Sequence, residues 1–367
     1  MNLEDLLPLV TGLRQQLHAC AEVSGCETRT LALLKEFLLA HTSLTLHECG
    51  GGFYAAHREA SSLPSLVLRA DIDALATPDG PPAHLCGHDG HAAALCGVAL
   101  ALEGMTVGRD VLLLFQPAEE TGGGAAACCE ALLAQEKPGV IYGAHNLPGF
   151  PFGQVVTRPG TFACASRGVT LTFTGQPTHA AYPENGISPA LPVGRLLCGL
   201  PELAAPERYR GMTMCTVIGV RMGEKAFGAA AEAAEVWLTL RGEHDDDLSA
   251  LHAAVLARAG ALAAEGRVAF DACEQDVFPD TDNSPVHAAR VLAACHGSPL
   301  HVPMRWSEDF GHYLKQIPGA YFGIGAGEDW PDLHTASYEY PDALLQHTID
   351  AFLRLIRAEA AHDPSEG

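Results

Sequence analysis

Short apolar runs alternate with helix-spaced apolar positions over the first 145 residues of the chain. Apolar side chains at intervals of three or four predict helices over residues 3–17, 30–39, 91–102 and 122–133. Compact apolar runs between these segments predict buried strands over residues 65–70, 111–115 and 140–144. This alternation predicts an α/β domain with a mostly parallel sheet.

The pattern changes near residue 167. Residues 168–175 alternate in the manner of a half-exposed antiparallel strand, and further strands are predicted at 213–220 and 235–241. Helical spacing covers residues 189–200 and 248–264, and the α/β pattern returns after residue 276. The sequence therefore predicts a discontinuous domain, residues 1–166 and 276–367, interrupted by a smaller α+β domain at 167–275.

Polar side chains follow the predicted strands of the first domain. Asp71 follows the first strand, Glu119 and Glu120 follow the second, and His145 follows the third. Because ligands bind beyond the carboxyl ends of the strands in such sheets, we expect these side chains to gather at one edge.

Several polar residues in and near these segments have side chains suited to hold a metal ion. In Cys86-Gly-His88-Asp89-Gly-His91 a thiolate and an imidazole two residues apart can reach one ion, although Asp89 could equally cap a helix. The adjacent carboxylates of Glu119 and Glu120, which follow a predicted buried strand, need either contact with solvent or a cation that compensates their charge. With His145 and His334 added, the donors form the mixture of N, S and O that divalent transition metals accept.

Six short motifs occur in order at residues 68–75, 86–91, 116–120, 145–148, 307–310 and 333–335. Together they resemble the M20 metallopeptidase family over about residues 13–345. The resemblance is greatest to its amidohydrolase branch, subfamily D, which contains aminoacylase- and hippurate-hydrolase-like enzymes and the plant auxin-conjugate hydrolases. It implies a ferredoxin-like inserted domain that serves as a lid and dimerisation domain.

The resemblance also implies a dinuclear Zn²⁺ or Mn²⁺ centre with five ligands: Cys86, His88, Glu120, His145 and His334. Glu119 would be the general base, taking a proton from a water that bridges the metals and passing it to the leaving amine. His179, in the inserted domain, would hydrogen-bond the developing oxyanion, across the subunit interface in a homodimer.

Other acidic residues of the motifs are expected to orient the ligating histidines: Asp71, Asp73, Asp89, Glu308 and Asp309. His18 and Glu22 are expected to be structural. Arg241, at a predicted strand end, could bind a substrate carboxylate or form a surface ion pair.

Composition narrows the class of partner. Lys and Arg number 22 against 44 Asp and Glu, and the net charge of −22 argues against nucleic acid and anionic membranes as partners. The start of the chain lacks the pattern of a secretory signal, and no apolar run is long enough to span a membrane. Twelve cysteines without regular spacing favour reduced thiols, so we expect a cytoplasmic protein.

The resemblance implies hydrolysis of the amide bond of N-acyl amino acids or related conjugates. A dipeptidase or exopeptidase and an N-acetyldiaminopimelate-type deacetylase remain open within this class. A thiol hydrolase with Cys86 as nucleophile and a non-catalytic metal-binding or sensing protein are alternatives of other classes. The short segment between Asp73 and Cys86, and residues 225–228, depart from the branch pattern near the expected pocket, so the substrate is not inherited from any relative.

Overall fold

The computed structural model describes residues 3–59, 61–78 and 80–360, so the predicted domain ends at residues 1–2 and 361–367 lie outside the described residues. The chain divides into two units. The first unit comprises the described residues up to Phe162, Thr281–Pro303 and the described residues from Glu308 onward. The second unit comprises Ala163–Asp280 and Met304–Ser307, and the predicted insertion at 167–275 falls within it.

Apolar spacing accounts for the main helices: in the first, Leu6, Val10, Leu13 and Leu17 lie on one buried face. Over the described residues the helices are α1 (Leu3–Ala19), α2 (Thr28–His41), α3 (His88–Leu102), α4 (Gly124–Gln135), α5 (Ala190–Leu203), α6 (Asp245–Gly266), α7 (Pro285–Ala294), α8 (Gly311–Leu314) and α9 (Leu344–Ala360).

The strands are short, and most of those in the first unit are buried. They are β1 (Thr45–Cys49), β2 (Gly52–His57), β3 (Ser65–Asp71), β4 (Val111–Gln116), β5 (Pro138–Pro148), β6 (Val155–Thr157), β7 (Gly160–Ala163), β8 (Ala165–Thr174), β9 (Thr178–His179), β10 (Thr213–Met222), β11 (Ala229–Ala230), β12 (Ala233–Gly242), β13 (Ala269–Phe278), β14 (Thr281–Asn283), β15 (Ser298–Pro299) and β16 (Gly319–Gly327).

The first unit is built on a mixed sheet in the order β1-β2-β4-β3-β5-β16-β6-β15. Its central strands β4, β3, β5 and β16 run parallel. β2 pairs antiparallel with β1 and β4, and β6 pairs antiparallel with β16 and parallel with β15. Every residue of β3, β4 and α3 is buried, as expected for a sheet covered by helices. The predicted α/β class is confirmed, with a sheet more mixed than predicted.

The parallel strands determine where the polar residues lie. Asp71, the last residue of β3, pairs in register with Gln116, the last residue of β4. The chain segments that follow these strands therefore leave the sheet at the same edge. His145 lies inside β5 rather than after it, because the strand continues to Pro148 alongside β16.

The second unit has the strand and helix order β8-α5-β10-β12-α6-β13. Its antiparallel sheet has the order β10-β12-β8-β13, which is the ferredoxin-like arrangement. Its core forms where the sheet packs against α5 and α6, and includes Leu171, Phe173, Leu238, Leu251 and Val255. Among the helices of the described residues, none is long and apolar enough to span a membrane.

Candidate active site

The five predicted metal ligands converge at one edge of the first unit's sheet. Cys86 Sγ lies 3.4 Å from His145 Nε2, and Glu120 Oε1 lies 3.8 Å from His88 Nε2 and 3.7 Å from His334 Nε2. Their donor atoms form overlapping groups within 4.8 Å: Cys86 with His88 and His145, Cys86 with Glu120 and His334, and His88 with Glu119 and Glu120.

Two backbone features bring these ligands together. Gly87 has φ 93°, and a Cβ there would lie 2.5 Å from Asn146 Oδ1, so the turn between Cys86 and His88 requires glycine. His334 also has a positive φ, 62°, and its main-chain N–H donates to Leu85 O at 2.8 Å. That bond fastens the His334 segment to the residue preceding Cys86.

The donor set fits a divalent cation. His88 Nε2 and Glu120 Oε1 are buried and have no hydrogen-bond partner among the described residues. Buried polar atoms without partners are costly and uncommon, and a cation between them would satisfy both. The residues present are therefore suited to hold metal ions.

The charge environment supports the same conclusion. Burial, with His91 and His88 nearby, holds the pKa of His145 well below its usual value, and burial and His88 lower the pKa of His334. These shifts favour the neutral form of both imidazoles, which metal ligation requires. Burial also lowers the pKa of His88, but Asp71 and Cys86 outweigh it and hold that pKa well above its usual value. A positive charge is favoured here, and a metal ion can supply it.

Cys86 is poorly suited to act as a nucleophile. Burial, reinforced by the Glu120 carboxylate, raises the pKa of its thiol well above the usual value. A catalytic cysteine needs the opposite shift, whereas a metal ion deprotonates a coordinating thiol outright. The thiol-hydrolase alternative is therefore disfavoured by the surroundings of Cys86.

Glu119 and Glu120 follow Ala118, which has a positive φ of 55°. Glu119 is buried, and burial together with Glu308 and Asp309 raises its pKa well above the usual value. The Asp309 main-chain N–H donates to Glu119 Oε1 at 3.3 Å. Burial raises the pKa of Glu120 to about 7. A carboxyl group with a raised pKa can both accept and return a proton near neutral pH.

The acidic residues expected to orient histidines differ in what they contact. His88 Nδ1 donates to Asp73 Oδ1 at 3.0 Å, and His91 Nδ1 contacts Asp71 Oδ1 at 2.5 Å. Asp71 Oδ2 also lies 3.8 Å from His88 Nε2. Asp73 and Asp71 are therefore placed to orient the imidazoles of α3.

The expectation was wrong for Asp89 and Glu308. The carboxylate of Asp89 accepts hydrogen bonds from His18 Nδ1 at 2.8 Å and Arg14 Nη1 at 3.3 Å, neither of which belongs to a predicted ligand. Glu308 instead accepts a hydrogen bond from Tyr321 Oη at 2.5 Å and pairs with Arg69 at 3.1 Å. Both carboxylates are held by donors outside the ligand set.

The sequence analysis assigned no role to three buried residues of its motifs: His91, Asn146 and Arg69. His91 contacts Asn146 Oδ1 through Nε2 at 2.5 Å as well as Asp71 through Nδ1, so both ring nitrogens are already engaged. Its spacing of three from His88 places both histidines on one face of α3, and this spacing could have identified His91 from the sequence.

Glu22 is structural as expected, since it accepts hydrogen bonds from the main-chain N–H groups of Arg29 and Thr30.

His179 and Arg241 belong to the second unit. His179 is exposed in β9, and its Nδ1 accepts a hydrogen bond from Ala181 N at 3.1 Å. In β12, Arg241 Nη1 donates to Arg305 O at 3.1 Å and Ser307 Oγ at 2.8 Å. Within the described part of the chain no carboxylate pairs with Arg241, so the surface ion pair does not form.

This fold and this donor set are those of a metallohydrolase. The sequence pattern of Peptidase family M20/M25/M40 matches residues 67–358, and the chain belongs to that family. It is a metal-dependent enzyme that hydrolyses amide bonds. The predicted family and enzyme class are confirmed.

Similar proteins cover nearly the whole chain. An N-acetyl-L-cysteine deacetylase of Bacillus subtilis strain 168 is 28% identical over 354 residues, 90% of this chain and 84% of the relative. An N-acetyldiaminopimelate deacetylase of Exiguobacterium sibiricum is 26% identical over 340 residues, 88% of this chain and 91% of the relative. The structure of a dinuclear metal-binding M20 peptidase from Bacillus subtilis matches with a TM-score of 0.82 at 21% identity, over 99% of this chain and 100% of that one, and shows the same fold.

Proposed function

We propose that this enzyme removes the acyl group from small N-acyl amino acids, with N-acetyl amino acids as the first candidates. The observation that carries the proposal is the convergence of five donor side chains beside the buried carboxyl group of Glu119. Two of the donor atoms, His88 Nε2 and Glu120 Oε1, are buried without a hydrogen-bond partner among the described residues. The names of the two deacetylase relatives support an acetylated amino acid as substrate.

The proposed ligands of two divalent ions, Zn²⁺ or Mn²⁺, are Cys86, His88, Glu120, His145 and His334. Bound there, the ions would supply Lewis-acid polarisation of the amide carbonyl and compensate the charge of the transition state. Glu119 takes a proton from the attacking water as the new C–O bond forms. It gives that proton to the amide nitrogen as the C–N bond breaks, so a carboxylic acid and a free amine leave.

Two residues of the second unit complete the proposal. Arg241, whose hydrogen-bond partners in the described part of the chain are neutral, is proposed to bind the substrate carboxylate, which a guanidinium can hold with two parallel hydrogen bonds. His179 is proposed to hydrogen-bond the oxyanion that develops from the amide carbonyl. A homodimer through the second unit, in which His179 would serve the neighbouring subunit, is part of the same proposal.

Replacing Glu119 tests the assignment of the base. In Glu119→Gln the side chain keeps its shape but cannot take a proton, so kcat should fall by about 10²–10⁴-fold. Both metal ions per chain should remain, measured by elemental analysis of the purified protein. The matched control is Glu130→Gln, an exposed glutamate on α4 whose loss should leave kcat unchanged. A Glu119→Gln enzyme with nearly normal kcat would refute the assignment.

A substrate screen tests the reaction class. N-acetyl and N-benzoyl derivatives of a set of amino acids, N-acetyldiaminopimelate and unblocked dipeptides should be compared by kcat/KM. We expect acetylated amino acids to rank first. Preference for dipeptides would favour the exopeptidase alternative, and no turnover of any compound by metal-loaded enzyme would favour a non-catalytic protein. Activity that survives exhaustive chelation would instead indicate the thiol hydrolase.

A further inference from the structure

Arg69 is a buried cation that pairs with the carboxylates of residues 308 and 309, next to the candidate base. It lies in β3 with 1% of its surface exposed. Its guanidinium donates from Nε to Gln116 Oε1 at 2.8 Å, from Nη1 to Asp71 Oδ2 at 2.7 Å and from Nη2 to Asp309 Oδ1 at 2.8 Å. Nη2 also lies 3.1 Å from Glu308 Oε1. One guanidinium thus joins the ends of β3 and β4 to residues 308–309.

Asp309 is held on every side by these contacts. Besides Arg69, Gln116 Nε2 donates to its two carboxylate oxygens at 2.9 and 2.8 Å, and Ala125 N donates to Oδ2 at 2.8 Å. Its main-chain N–H points the other way and donates to Glu119 Oε1 at 3.3 Å. Fixing the Asp309 side chain therefore fixes a donor to Glu119.

Residues 308–309 depend on Arg69 more than the strand ends do. The ends of β3 and β4 are aligned by the backbone pairing of the two strands, in which Asp71 lies opposite Gln116. Asp309 lies 240 positions from Arg69 in sequence, and residues 308–309 directly follow Met304–Ser307, which belong to the second unit. Without a buried cation, Glu308 and Asp309 would repel each other and the neighbouring Asp71, and the segment would move away.

We propose that Arg69 is a positioning residue for the reaction: its guanidinium docks residues 308–309 so that the Asp309 amide holds the carboxyl group of Glu119 in place. Arg69 acts on the reacting atoms through Asp309 and Glu119 rather than by direct contact. The proposal rests on the assignment of Glu119 as the general base.

Arg69→Lys tests this role with little change in charge. Lysine offers one nitrogen where the guanidinium uses three in a fixed fork, so it cannot hold Asp71, Gln116 and Asp309 together. We expect kcat to fall about 10–100-fold, in the range seen when a base is slightly misplaced, with KM within about threefold. Two metal ions per chain should remain by elemental analysis, because Arg69 contacts none of the proposed ligands.

Arg109→Lys is the matched control. Arg109 is also buried, at 5% exposure, and donates to Pro64 O and Glu359 away from the candidate site. Loss of the Arg109 guanidinium should lower the midpoint of thermal unfolding about as much as Arg69→Lys does, but it should change kcat less than about twofold. A general loss of stability would thus be separated from loss of positioning.

The decisive measurement is a double-mutant cycle with Glu119→Gln. If Arg69 acts through Glu119, adding Arg69→Lys to Glu119→Gln should lower the residual kcat by less than about threefold, because the group being positioned is already disabled. An equal fall of kcat in both backgrounds would overturn the proposal, as would a change confined to KM. If Glu119→Gln alone keeps its activity, the proposed function fails at its base, and that result is visible before Arg69 is changed.

Gln116→Met serves if Arg69→Lys does not fold. Gln116 is uncharged, and its amide donates to both oxygens of Asp309, so its loss loosens the same carboxylate. The expected fall in kcat is about 5–10-fold, with KM and metal content unchanged. An unchanged kcat in this variant would refute the docking role of residues 308–309.

Discussion

Asp73→Asn would perturb the orientation of His88 most directly. The Asp73 carboxylate is fully buried and is faced by three donors. Oδ1 accepts from His88 Nδ1 at 3.0 Å, while Oδ2 accepts from Ser24 Oγ at 2.6 Å and from Glu120 N at 3.0 Å. One side chain thus fixes the ring of one proposed ligand and the backbone of another.

Asparagine can satisfy only part of this arrangement. With its oxygen toward Glu120 N, its amide group faces His88 Nδ1, and the imidazole must then carry its proton on Nε2, the proposed ligating atom. With its oxygen toward His88, its amide group faces the Glu120 N–H and leaves two buried donors opposed. Each unsatisfied buried donor costs about 1–3 kcal/mol. Loss of such an orienting contact typically lowers metal affinity about 10–100-fold, or about 1.4–2.7 kcal/mol.

The assay is competition for Zn²⁺ and Mn²⁺ against a chromophoric chelator, with urea unfolding of the metal-free protein run in parallel. Ser24→Ala is the matched control, because it removes one donor to Asp73 without affecting the His88 proton. We expect Asp73→Asn to lose metal affinity and Ser24→Ala to keep it within about threefold. Equal affinities for wild type and Asp73→Asn would refute the reasoning.

Two further predictions concern Glu22 and Arg241. Burial favours the neutral form of Glu22, but hydrogen bonds from Thr30 and Arg29 outweigh it and lower its pKa, so Glu22→Gln should lower the free energy of unfolding by about 1 kcal/mol at neutral pH. The folded pKa of Glu22 lies below its unfolded value of about 4.3, so the difference in free energy of unfolding between wild type and Glu22→Gln should be complete above about pH 5 and should vanish as the pH falls through the folded pKa. Urea titrations at several pH values measure this difference. A difference that stays constant down to about pH 2 would contradict the prediction. Arg241→Met should raise KM for an N-acetyl amino acid at least about 10-fold and leave KM for the corresponding amide nearly unchanged, since only the former offers a carboxylate; equal effects on both substrates would exclude carboxylate binding.

The elements that position the site could be predicted because their sequence signals are local. β3 and β4 are continuous apolar runs, and their observed bounds, Ser65–Asp71 and Val111–Gln116, extend the predicted ones by a single residue. β1 and β2 were missed. The alternation of β1 is irregular, with Thr45 and Glu48 exposed and only Cys49 buried, as expected of a strand at the edge of a sheet.

The polar residues around the ligands were harder to predict, because the partner of a buried charge is a tertiary property. Strand alternation places Arg69 and Asp71 on one face of β3, but nothing local indicates that Asp309 completes the group. Asp89 illustrates the opposite error, in which a residue is given a role from its position in a motif although its side chain contacts other groups. It adjoins His88 in the motif, yet α3 directs it to Arg14 and His18 on another side of the helix. Neighbours along a helix do not face each other.

Part of the chain's excess of acidic residues is concentrated at this site. Asp71, Asp73, Glu119 and Asp309 are buried close together, and Arg69 is the one arginine or lysine among the described residues that pairs with any of them. Burying carboxylates without counter-charge is costly, so such a group must either take up protons or bind cations. Burial is the leading cause of the raised pKa values of Glu119 and Asp309. Burial also acts to raise the pKa values of Asp71 and Asp73, but the neighbouring histidines outweigh it and lower them. A divalent cation bound at this edge of the sheet would compensate the charge of these buried carboxylates.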